Sequence, residues 1–191
     1  LSVTADISGE INDFRISRAS HPDDAFTPIQ TLVDAEESNI HITDNFATQG
    51  QQYYYKVEAL NSCYLPVKSS NLGNNILVTG SAEESVIRLE WSPYLGFPQG
   101  VESYSIFRSN SYGEKEMIAS VTGQTLNFTE NIRNSGDRNM EGAVSYVIEA
   151  QAKGTNPLGI VGTSSSNEVI VNVETRMYLP NAFTPNNDGR N

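Results

Sequence analysis

The residues able to do chemistry in this chain are few. His21 with Asp23 and Asp24, in the run HPDD, supplies one imidazole and two carboxylates, a donor set suited to a divalent cation. The same four residues make an ordinary polar turn, and that is the reading adopted. His41 sits between Ile40 and Ile42, so on a strand it faces away from their apolar side. There is no G-x-S-x-G run, and both histidines precede residue 76, leaving the second half no base to activate a serine. The lone cysteine, Cys63 in ALNSCYLP, has no histidine partner and reads as a structural thiol or as half of a disulfide whose other half is outside this sequence. Gly154, Gly159 and Gly162 have the wrong spacing for a dinucleotide loop and read as a hairpin loop. No catalytic residue, cofactor site or metal site is expected.

Carboxylates cluster at Asp34, Glu36 and Glu37 and at Glu83 and Glu84. Glycoside hydrolysis needs two carboxyls facing each other across a cleft, so clusters in polar loops read as solvated charge. The tail NNDG, Asn186 to Gly189, offers oxygen ligands to calcium, but Thr184 stands where the first ligand of an EF-hand loop belongs. Aromatic rings are the better candidates for binding, because sugars stack on exposed rings. Tyr94 and Phe97, in PYLGFPQG, are the candidate carbohydrate contacts, with end-capping of the fold as the competing reading. Tyr53, Tyr54 and Tyr55 alternate faces, so Tyr54 opposes its neighbours, and Tyr53 is expected to pack between domains. Asn127-Phe128-Thr129 is formally a glycosylation sequon, read as accidental.

Twelve Lys and Arg against 23 Asp and Glu give a net charge of -11, which repels phosphate backbones and anionic lipid. No nucleic-acid partner is expected. No apolar run approaches the roughly 20 residues that span a bilayer, so membrane insertion is not expected either. Nine tyrosines, seven phenylalanines and 38% hydrophobic residues fit a folded β-rich protein.

What must position these residues is a motif written twice. DFRISRAS (Asp13 to Ser20) matches SYSIFRSN (Ser103 to Asn110), placing Phe14 on Tyr104, Ile16 on Ile106 and Arg18 on Arg108. YYKVEAL (Tyr54 to Leu60) matches SYVIEAQ (Ser145 to Gln151), placing Tyr55 on Tyr146. NIHITDN (39–45) answers TLNFTEN (125–131), and SSN at 69–71 answers SSN at 165–167. VIRLEW, SYSIFR and EVIVNV alternate apolar and polar residues as half-buried strands do, while NSYG, NSGD and KGTNPLG between such blocks suit turns. No long segment has helical spacing. About seven strands in about 90 residues predict a β-sandwich.

Trp91 closing one strand, Tyr146 in SYVIEA and the SSNEV opening of the last strand resemble the fibronectin type III family. The resemblance implies an all-β chain of two tandem immunoglobulin-like sandwiches. It implies structural roles for Trp91, packed in the core, and for Tyr146 and its counterpart Tyr55, each a corner tyrosine whose hydroxyl ties a loop to the backbone. The division expected is 1–75 for a first domain incomplete at its amino end, 76–175 for a complete second domain, and 176–191 for the start of another. The first is expected incomplete because the repeat offset sets Leu1 near the position of Trp91. Only Gly73 to Asn75 is left as a hinge, which favours a semi-rigid pair.

The last stretch, YLPNAFTPNNDGRN (178–191), resembles the opening of the gliding-motility-associated C-terminal domain, a sorting module of bacterial surface proteins exported by type IX secretion. The resemblance implies an extracellular or cell-surface address. The function expected is a non-catalytic spacer or adhesion module, with a carbohydrate-binding accessory module of a polysaccharide-degrading enzyme as the alternative. Expected partners are other domains of the same polypeptide, then extracellular proteins or glycans.

Overall fold

The structure, a computed structural model, describes residues 2–4, 11–37, 39–109, 113–132, 142–156 and 159–173. The tail from residue 174, with its sorting-domain and calcium readings, lies outside the described residues, as do the NSGD turn and most of NSYG. All regular structure among the described residues is β-strand, arranged as two tandem sandwiches.

In the second sandwich, β8 (Val78–Glu83), β9 (Val86–Trp91) and β12 (Asn127–Asn131) form one sheet in the order β12-β9-β8. The other contains β10 (Val101–Ser109), β11 (Lys115–Thr122), β13 (Gly142–Ala152) and β14 (Thr163–Ser165) in the order β11-β10-β13-β14, and β15 (Val169–Val173) also pairs with β13. Alternation decides which side chains meet. Ile87, Leu89 and Trp91 from β9 face Tyr104 and Ile106 from β10 and Val144, Tyr146, Ile148 and Ala150 from β13, all buried in one core. The absence of a side chain on Gly80 lets the two sheets close, since a Cβ there would lie 2.7 Å from a methyl of Val171. Trp91 meets Tyr104 edge-on at 5.6 Å, and its buried Nε1 has no hydrogen-bond partner among the described residues.

The first sandwich repeats the larger sheet. β2 (Asp13–Ala19), β3 (Thr27–Leu32), β5 (Tyr54–Leu60) and β6 (Pro66–Ser69) run in the order β3-β2-β5-β6, and β7 (Gly73–Asn74) also pairs with β5. Even the irregularity is repeated: the register slips between Ile16 and Ser17 opposite β3, and between Ile106 and Phe107 opposite β11. The repeated SSN runs have one geometry. Ser70 Oγ accepts from the Val57 amide at 3.0 Å and Ser166 Oγ from the Ile148 amide at 2.9 Å, so each serine bridges the gap between two short strands.

The facing sheet is where the copies part. Among the described residues the first sandwich has only β1 (Ser2–Thr4) paired with β4 (Asn39–His41), where the second has three strands. Among the described residues its core cluster is Phe14, Ile16, Ile42 and Val57, flanked by Ile29, Leu32, Ala35 and Ala59.

Candidate functional site

Each sandwich carries a part-buried polar constellation built from the same three repeat positions. Arg108 on β10 donates to Glu130 on β12 at 2.5 Å, and Tyr146 on β13 donates its hydroxyl to the other Glu130 oxygen at 2.7 Å. Arg18 on β2 donates to Asp44 at 2.8 Å, and the Tyr55 hydroxyl donates to the same oxygen at 3.1 Å. The repeat reading paired these residues copy to copy; the fold brings each trio together across the gap between its sheets. Both tyrosine hydroxyls therefore fasten to a carboxylate side chain rather than to a backbone group. Burial, then the neighbouring carboxylate, pushes the Tyr55 and Tyr146 phenols well above their ordinary range. Burial alone would raise the Asp44 carboxyl, but hydrogen bonds from Arg18, the Phe46 amide and Tyr55 outweigh it and hold the group below its usual value. These trios have no nucleophile and no free carboxylate; they are braces.

The junction is built from two adjacent asparagines that alternation sends opposite ways. Asn74 reaches into the second sandwich: its Oδ1 accepts from the Leu95 amide at 2.7 Å and its Nδ2 donates to the Pro93 carbonyl at 3.0 Å. Asn75 reaches back into the first: its Oδ1 accepts from the Tyr53 amide at 2.7 Å and its Nδ2 donates to the Gln51 carbonyl at 2.9 Å. Asn74 is 5% exposed, so this is an interior contact. Asn71 adds a bond to the Gly96 carbonyl. One residue later Ile76 is fully buried in the second core and bridges Ser166. The sequence marks Gly73 to Asn75 as a linker but gives no sign that it is fastened on both sides.

Beside this latch lies an open cleft of about 600 Å³. The first sandwich contributes Ile29, Ile42, Thr43 and Asp44, and the second contributes Tyr94 and the edge strand Thr163 to Ser165.

Of the sequence candidates, Tyr94 borders the cleft and the others fall elsewhere. Tyr94 and Phe97 touch at 4.5 Å with their planes 62° apart, so the two rings do not share a flat surface. The Tyr94 amide donates to the Tyr104 hydroxyl at 3.0 Å, and its own phenol, raised by burial, is hydrogen-bonded to Ser164. Phe97 packs on Gly162. Tyr53 is buried within the first sandwich, with the Arg18 guanidinium 4.6 Å over its ring. His21 accepts from the Asp23 amide at 3.4 Å in an exposed turn, and among the described residues no group of three His, Cys, Asp or Glu is gathered as a metal would require. Cys63 is exposed at the β5–β6 hairpin tip. Glu84 occupies the β8–β9 turn at φ 55°. No helix among the described residues is long and apolar enough to cross a membrane.

No protein-family model matches the chain, and no curated protein matches it in sequence. Solved structures do resemble it. The chicken CNTN1 FN1–FN3 domains align over 86% of this chain at 15% identity and a TM-score of 0.35. A two-domain fibronectin type III segment of chicken tenascin aligns over 91% at 13% identity and a TM-score of 0.31. Pectate lyase PelI from Erwinia chrysanthemi, solved in complex with tetragalacturonic acid, aligns over 50% at 19% identity and a TM-score of 0.37. The chain spans 28% of the lyase and 55% of the CNTN1 fragment.

Proposed function

We propose that this chain is a non-catalytic spacer and adhesion segment of a larger extracellular protein, acting by holding its neighbours at a fixed separation and angle. The observation that carries this reading is the double anchorage of Asn74 and Asn75. A linker that served only to connect would leave its side chains in water; this one spends both amides on tying the sandwiches to each other. Further support comes from the two braces, which join sheet to sheet through charge-assisted bonds and so stiffen each body. The resemblance of residues 178–191 to a sorting-domain opening supports an outer-surface address, delivered by type IX secretion in a Bacteroidetes-type bacterium. The net charge of -11 suits a chain that stays soluble while extended from a surface.

Residual dipolar couplings and small-angle scattering on the chain test the reading. One alignment tensor fitting both sandwiches is the expected result. The Asn74→Ala, Asn75→Ala double variant should split it into two while each sandwich keeps its own strand pattern. Two independent tensors in the unmodified chain would reject the spacer reading.

A further inference from the structure

We propose that the cleft between the sandwiches binds a neutral oligosaccharide. This goes beyond the spacer reading, which stands on the latch alone and survives if the cleft proves empty of function. The volume, about 600 Å³, falls within the range of about 300–1,000 Å³ typical of small-ligand sites. The walls are of two kinds in close alternation. Ile29, Ile42 and the Tyr94 side chain supply apolar surface, while Thr43, Thr163 and Ser165 supply hydroxyls. The bonds that fasten the latch and the first brace use Asn74, Asn75, Asp44 and Tyr55. Thr43, Thr163 and Ser165 take no part in those bonds. Interleaved C–H faces and hydroxyls are what a sugar ring itself presents, and they suit it better than they suit a uniformly apolar or a charged ligand.

Charge narrows the class. No lysine or arginine is among the described residues that line the cleft, and the chain's net charge is -11, so uronates, sulfated sugars and phosphates meet repulsion there. Asp44, the charged group among the described lining residues, already accepts from Arg18, Tyr55 and the Phe46 amide, which leaves it poorly placed to hold a cationic ligand. The walls belong to different sandwiches, so the latch that fixes their separation also fixes the shape of the site.

The test is titration calorimetry and amide chemical-shift mapping on the whole 191-residue chain, with tri- to hexasaccharides from neutral glucans, xylans and mannans beside matched uronate oligomers. At least one neutral set should bind saturably and shift the amides of Thr43 and Thr163. Thr43→Trp and Thr163→Trp fill the cleft from opposite walls at exposed positions, so each should fold with its melting temperature kept and lose affinity by about tenfold or more. Failure of every neutral set to bind would overturn the proposal. So would binding that both tryptophan variants leave unchanged, or a preference for uronates or for extended peptides over neutral sugars.

Discussion

In the second sandwich the Arg108 and Glu130 side chains are 9% and 11% exposed and lie over a core that runs from Ile76 to Val173. In the first, Arg18 keeps 22% of its side chain in water and Asp44 9%, over a core cluster that among the described residues comprises Phe14, Ile16, Ile42 and Val57. The two acids are covered alike, and the braces differ at the arginine, which meets more water in the first copy. Where the core is deep, the brace must be complete, because a buried charge left alone is heavily penalised. Where the arginine is more exposed, water can share the work. The pair teaches that one sequence motif carries different energies according to how much protein surrounds it.

The comparison breaks most sharply if the acid is removed from each copy. Glu130→Ala removes the carboxylate 2.5 Å from the buried Arg108, whose contact with the exposed Glu116 is longer at 3.5 Å, and should destabilise the second sandwich by about 3–5 kcal/mol. Asp44→Ala lets Arg18 turn to solvent and should lower the stability of the first by about 1–2 kcal/mol. Denaturant unfolding followed separately by Trp91 fluorescence and by amide signals of the first sandwich reads both. Equal losses would show that burial does not set the value of the brace.

Removing only the hydroxyl is gentler. Tyr146→Phe takes away a hydrogen bond to a carboxylate and should reduce stability by about 1.5–3 kcal/mol, with Tyr55→Phe at the lower end because its bond is longer, 3.1 against 2.7 Å. The same substitutions reshape the pH profile. A phenol raised on folding stabilises fully below its unfolded value of about 10, and that stability is lost as pH climbs toward the raised folded value. Tyr146→Phe should therefore flatten the alkaline fall. On the acid side the lowered Asp44 carboxyl contributes above its unfolded value of about 3.9, a contribution lost as pH drops through the folded value. Asp44→Ala should flatten that limb. Thermal melts between pH 2 and pH 11, as rough bounds of the useful window, would show both slopes.

Much of this fold was legible in the chain. Matched alternation around Ile16 and Ile106, the two SSN runs and the absence of helical spacing pointed to paired sheets, because period two and turn chemistry are local properties. The braces were half legible. Arg18 and Arg108, Asp44 and Glu130, and Tyr55 and Tyr146 all fell on matching positions, but that members of one copy touch depends on how two sheets stack, which no spacing records. The latch was legible only as a short hinge: Asn74 and Asn75 read as residues of a brief linker that favours a semi-rigid pair, and only the positions of Gln51, Tyr53, Pro93 and Leu95 turn them into anchors. The cleft exists only once both sandwiches are placed.

The smallest expected difference lies at the hairpin tips. In the second copy the Gly159 amide donates to the Asn156 carbonyl at 2.9 Å, with Gly159 at φ 78°. In the first copy the Tyr64 amide donates to the Asn61 carbonyl at 2.8 Å, with Tyr64 at φ 57°. A left-handed backbone costs a residue with a Cβ about 1–2 kcal/mol, and glycine escapes it. Glycine in turn gives the unfolded chain more freedom, which offsets about 0.5–1 kcal/mol of the gain. Tyr64→Gly should therefore stabilise the first sandwich by only about 0.5–1 kcal/mol, and Gly159→Ala should destabilise the second by about 0.5–1 kcal/mol, as strain and lost glycine freedom are set against each other. Opposite signs at the two tips are the decisive readout. If Tyr64→Gly also destabilises, the exposed Tyr64 ring is making a contact worth more than its backbone strain, and the tips are alike in path but not in purpose.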